Sequence, residues 1–159
     1  MAESLLFTKG ADRKTIYGEI FPQIELMVDA EDDLIANLAN VAAVLKTAFD
    51  FFWVGFYLTG ESDLVLGPFQ GPIACTRIGF NKGVCGHAFT TEATVIVEDV
   101  EAFPGHIACA SDSKSEIVVP LKRKTGEVWG VLDVDSDRLA DFDETDAAWL
   151  EKIAATLSL

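Results

Sequence analysis

Sulfur and positive charge are both scarce in this chain. It carries three cysteines and two methionines in 159 residues, and 12 Lys and Arg against 26 Asp and Glu, a formal net charge of −14. Three cysteines is an odd count, whereas a secreted disulfide framework needs pairs, so a reducing, cytoplasmic setting is expected. The acidic balance excludes nucleic-acid backbones and anionic membranes as partners, because both repel it. No apolar run approaches the roughly 20 residues of a membrane span, and MAESLLFTKG lacks the basic leader and long apolar core of a signal peptide. What remains is ordinary: half the residues are apolar and 24% charged, the composition of one globular domain with a real core.

The coarse order is helices, several antiparallel strands, then a helix, which predicts an α+β fold with helices packed on a sheet. Residues 12–28 read as a helix with Ile16, Ile20 and Ile24 on one face and Pro22 as a bend or interruption. Leu34, Leu38, Val41, Leu45 and Phe49 recur at helical spacing. "FFWVGFYL" (51–58) reads as a central strand, followed by short strands at 64–66, 73–77 and 94–97, with "VCGHAFTT" as a helical turn. Residues 98–115 form a long loop, of the kind that is functional or mobile. A hairpin across "KRKTG" joins strands 116–121 and 127–134. Asp143 caps a last helix that turns Trp149, Leu150, Ile153 and Leu157 to the core.

Strand alternation picks out the candidate pocket. Trp53, Gly55 and Tyr57 share one face, with Phe52, Val54 and Phe56 on the other. Two aromatics flanking a glycine read either as core packing or as a slot with apolar walls. In "GVLDVDS", Asp133 and Asp135 share a face. That is a strand end reaching solvent, or a crowded pair that binds a cation or holds a proton at neutral pH. Glu116, on the partner strand of the hairpin, is placed to join them.

Two of the cysteines end nearly identical phrases, "FQGPIAC" (69–75) and "FPGHIAC" (103–109). Three readings of the thiols stand side by side. They are small buried hydrophobes; or Cys85, His87, His106 and Cys109 hold zinc, although C-x-H and H-x2-C are not the usual spacings; or they do redox chemistry. For the third, a thiolate becomes a sulfenic acid and a second cysteine condenses with it. Cys85 in "GVCGH" sits at a helix start, where backbone N–H groups favour a thiolate.

Taken together, "WVGFYL", "LVLGPFQGPIACTRI", "GVCGHAF", "FPGHIAC", "SKSEIVVPL" and "GVLDVDS" closely resemble the free methionine-(R)-sulfoxide reductases. The resemblance runs from about residue 34 to 159, with residues 1–33 as an N-terminal helical extension. It implies a single GAF-like domain with a mostly antiparallel sheet, and reduction of free L-methionine (R)-sulfoxide to L-methionine. It implies Cys109 as the catalytic thiol, Cys75 as the resolving one and Cys85 as an auxiliary thiol. Trp53 and Tyr57 are then the wall around the methyl-sulfinyl end, and Glu116, Asp133 and Asp135 the polar end. No cofactor or metal is expected, only a thioredoxin-like or other dithiol reductant, and a homodimer is compatible with the fold. The competing expectation is a GAF-type sensor domain that binds a small ligand without catalysis.

Overall fold

The computed structural model describes residues 4–107, 109 and 111–159. The start of the N-terminal extension and Ala108 of the second twin phrase lie outside the described residues. Among the described residues no helix is long and apolar enough to cross a membrane.

Two helices open the chain. Helix α1 (Arg13–Asp29) begins at Asp12, whose side chain accepts from the Thr15 N–H, and α2 (Leu34–Phe49) begins at Asp33, which accepts from Ala36. Each cap satisfies a backbone donor that the first helical turn leaves open. Pro22 lies inside α1 without dividing it, so the interruption expected there is absent. Ile16, Ile20 and Ile24 are buried as the periodicity requires.

The sheet has six strands in the order β3-β2-β1-β6-β5-β4, and every pair is antiparallel. In chain order they are β1 (Trp53–Thr59), β2 (Asp63–Gln70), β3 (Arg77–Gly79), β4 (Val95–Val97), β5 (Ser115–Lys122) and β6 (Val128–Ser136). Helix α3 (Gly83–Thr91) falls between β3 and β4. A short 3-10 turn (Val100–Ala102) opens the long loop before β5. The closing helix α4 (Glu144–Thr156) starts in a reciprocal capping box between Asp143 and Asp146.

Two short strands depart from expectation. β2 extends to Gln70, past Gly67 and Pro68, and β3 begins only at Arg77. The β1–β2 register shifts between Gly55 and Tyr57. That irregularity lets Pro68, which has no N–H to offer a ladder, remain in a strand.

One face of the sheet carries Val54, Phe56, Ile117, Val119, Leu121, Leu132 and Val134, packed under α1, α2 and α4 in the larger core. The other carries Trp53, Tyr57, Val118 and Val131, packed with α3 and the loops. Phe52 corrects the alternation. It sits in a bend before β1 starts, and so packs on the Trp53 side rather than with Val54 and Phe56.

Candidate active site

Antiparallel register brings the carboxylates together. Trp53 lies opposite Asp135, and Asp135 opposite Glu116, so the three form a row across β1, β6 and β5. One row along, Gly55 pairs with Asp133. Glu116 and Asp133 are each only 6% exposed. Among the described residues, no Lys, Arg or His lies within ion-pair distance of any of the three.

Burial without a counter-charge disfavours ionisation, and each carboxylate raises the others further. The Glu116 carboxyl is pushed well above its usual range by burial, then by Asp133 and Asp135. Asp135 is raised in the same way by burial and Asp133, offset in part by the Ser113 hydroxyl that donates to it at 2.6 Å. Asp133 rises least, to about 6, because burial is opposed by hydrogen bonds from Cys85 and Glu116. Its Oδ2 accepts from the Cys85 Sγ–H at 3.3 Å, while its Oδ1 is buried with no partner.

Cys85 is the third residue of α3 and is buried beside these acids. Its position at a helix start is the expected one, but the expected thiolate is not. Burial, followed by the Asp133 and Glu116 charges, pushes the thiol well above its ordinary pKa. A helix dipole acts weakly over a partial charge, whereas full carboxylates in direct contact act strongly.

The twin phrases meet over this acidic floor. Cys75 and Cys109 are joined in a disulfide, with Cα atoms 5.0 Å apart and a sequence separation of 34. The shared glycine turns each loop: Gly71 and Gly105 both hold positive φ, +138° and +74°, a region that side chains with a Cβ disfavour. The β1 aromatics hold the first loop by their polar tips. Trp53 Nε1–H donates to the Pro72 carbonyl at 3.1 Å and the Tyr57 hydroxyl to the Cys75 carbonyl at 2.9 Å.

Every site residue expected from the sequence except Cys75 lines one cavity, together with Lys82, His106 and Ser113. The cavity holds about 30 Å³, room for about one water and far below the roughly 300 Å³ at which ligand clefts begin. In the disulfide form the cavity has no room for an amino acid.

Packing decides between alternatives at two places where the sequence left them open. The slot above Gly55 is already filled: a Cβ there would stand 2.3 Å from the Phe69 Cβ and 2.7 Å from the Trp53 ring. Trp53 stacks between Phe69 and Tyr57, with ring centres 5.3 and 6.0 Å away, so the glycine admits aromatic packing rather than a ligand. The Cys85–His87–His106–Cys109 zinc set does not assemble either. Cys109 is in the disulfide and His87 packs edge-on against Phe103 at 5.7 Å. The ligand atoms that do converge, within 4.8 Å of one another, belong to Cys85, Glu116 and Asp133.

Ser113 is the clearest residue that sequence reasoning passed over. Its signal was position, three residues before Glu116 on the approach to the strand. Lys82, the residue before α3, and His106, within the second phrase, also escaped as pocket walls.

Known proteins resemble this chain in sequence and fold. Residues 29–159 match the GAF domain family. The chain is 58% identical to GAF domain-containing protein A of Dictyostelium discoideum over 99% of both chains. It is 38% identical to the free methionine-R-sulfoxide reductase of Saccharomyces cerevisiae, over 99% of this chain and 92% of the yeast protein. The structure of a free methionine-R-sulfoxide reductase from Neisseria meningitidis, solved with its substrate, superposes with a TM-score of 0.93. It is 56% identical, over 97% of this chain and 92% of that one.

Proposed function

This chain belongs to the free methionine-R-sulfoxide reductase family, built on the GAF fold, and on that premise we propose that it reduces free L-methionine (R)-sulfoxide to L-methionine. The observation that carries the reading is the Cys75–Cys109 disulfide closing a cavity floored by three uncompensated carboxylates. That is the oxidised end of a thiol cycle, lying over a site suited to a substrate with an ammonium group and an oxygen that must be protonated.

In the reduced chain the Cys109 thiolate attacks the substrate sulfur. A carboxylic acid donates to the sulfinyl oxygen, which is a poor leaving group until protonated. The oxygen passes to Cys109 as sulfenic acid and methionine departs. The Cys75 thiol attacks the sulfenic sulfur, water leaves, and the disulfide forms. A thioredoxin-like dithiol restores both thiols by exchange and carries away the two electrons' worth of oxidation. No cofactor enters the sequence of steps.

The three acids divide by environment. Asp133 has the lowest of the three raised pKa values, so near neutral pH it is the member that carries charge and holds the ammonium. Glu116 and Asp135 are held higher by burial and by their acidic neighbours, which suits one of them to supply the acid. Trp53 and Tyr57 form the apolar wall for the methyl-sulfinyl end. Gly83, Val84 and Cys85, the first turn of α3, face the same cavity. Their backbone N–H groups suit the substrate carboxylate.

The test follows methionine release from the free sulfoxide with dithiothreitol as reductant. Wild type is expected to turn over, Cys109→Ser to be inactive, and peptide-bound sulfoxide to be a poor substrate because the polypeptide clashes with the loops. Tight binding of the free amino acid without turnover would favour a sensor instead.

A further inference from the structure

We infer that the disulfide-closed chain binds one divalent cation of the zinc class at Cys85, Glu116 and Asp133. The donor geometry is the first support. A tetrahedral ion with metal–sulfur and metal–oxygen bonds of roughly 2.3 and 2.1 Å holds its sulfur and oxygen ligands about 3.6 Å apart. Cys85 Sγ lies 3.3 Å from Asp133 Oδ2 and 4.0 Å from Glu116 Oε1, on either side of that value.

Asp133 supplies the second support. Its Oδ1 is buried without a hydrogen-bond partner, on a side chain whose residue is only 6% exposed and lines the cavity. Polar atoms in such places are nearly always satisfied, and this one, the second oxygen of the carboxylate whose Oδ2 meets Cys85, calls for a water or an ion beside it. The cavity above the cluster, about 30 Å³, suits an ion with a single water in its open position and is too small for an amino acid.

Chemistry narrows the ion. One thiolate with two carboxylates selects zinc-class metals over magnesium or calcium, which take oxygen ligands alone. Cys75 and Cys109 contribute nothing, since both sulfurs are in the disulfide. The cation would occupy the place proposed above for the substrate ammonium. Its site nonetheless follows from the donors themselves and stands whether or not the reductase reading does.

Cobalt(II) titration of the oxidised protein tests this, because Cys85 is then the only free thiol of the three cysteines. The expected result is one equivalent bound, with a thiolate-to-cobalt charge-transfer band that zinc displaces. Cys85→Ser should abolish the band. Glu116→Gln should weaken binding by more than about tenfold, the lower range for loss of a group supporting a metal. Circular dichroism checks each variant, and Asp133→Asn replaces any that is unfolded. Absence of the band in wild type, or affinity unchanged in the carboxylate variants, would overturn the site.

Discussion

The two faces of this sheet are built from the same strands under opposite rules. Beneath α1, α2 and α4, the inward residues of β1, β5 and β6 are aliphatic or aromatic, and the buried acid on that side, Asp146, is paired with Arg13. On the other face, one residue along the same strands, Glu116, Asp133 and Asp135 stand among Trp53, Tyr57 and Cys85 with no ion-pair partner among the described residues. The first face stabilises the fold. The second has its own apolar cluster, but the carboxylates set into it are destabilising and persist because the packing around them compensates. Alternation along a strand is therefore what allows a strained acidic site to share a backbone with a dry core.

Three substitutions probe that division. The largest effect belongs to the helix-covered face: Phe56→Ala should lower unfolding free energy by about 3–5 kcal/mol, the usual range for emptying a buried aromatic site. Denaturant melts measure the loss, and the activity of the molecules that remain folded should be little changed.

On the opposite face the sign reverses. Asp133 has a folded-state pKa raised from 3.8 to about 6, so the folded chain binds its proton more tightly than the unfolded chain. Its penalty is absent below pH 4, grows as pH rises through the interval to about 6, and is complete above it. Asp133→Asn should therefore add on the order of 2–3 kcal/mol at pH 8 and nearly nothing at pH 4, while turnover is lost. Melting curves at the two pH values, paired with the activity assay, decide it. Equal effects at both would mean that Asp133 is not a buried acid of this kind.

The smallest effect is expected at Tyr57→Phe. It keeps the ring stacked on Trp53 and removes the hydroxyl that donates to the Cys75 carbonyl. The loss should be about 1 kcal/mol, and it should appear in the disulfide form, where that loop is held, more than in the reduced form.

The larger face was also the more legible in sequence. The residues with 3.6-residue spacing in α2, the capping aspartates and the alternation through β6 all follow from local rules, and the structure keeps their places. The acidic row was legible for the same reason, since a hairpin with Glu116 on one strand and Asp133 and Asp135 on the other has few registers. What could not be read was anything decided by a distant neighbour. Gly55 looks like an opening until Phe69, from the adjacent strand, is seen to fill it. Cys85 looks like an activated thiol until β5 and β6 bring carboxylates against it. The strand at 64–66 looks short until the irregular pairing with β1 carries β2 on through Gly67 and Pro68.

The account depends most on the pairing of the twin loops in turnover. Fully reduced protein, freed of reductant and given excess free methionine (R)-sulfoxide, should release one equivalent of methionine per chain and stop. Peptide mapping should then find Cys75 linked to Cys109 and Cys85 still free. Release of no methionine, or a disulfide formed through Cys85 with Cys75 left as a thiol, would contradict it.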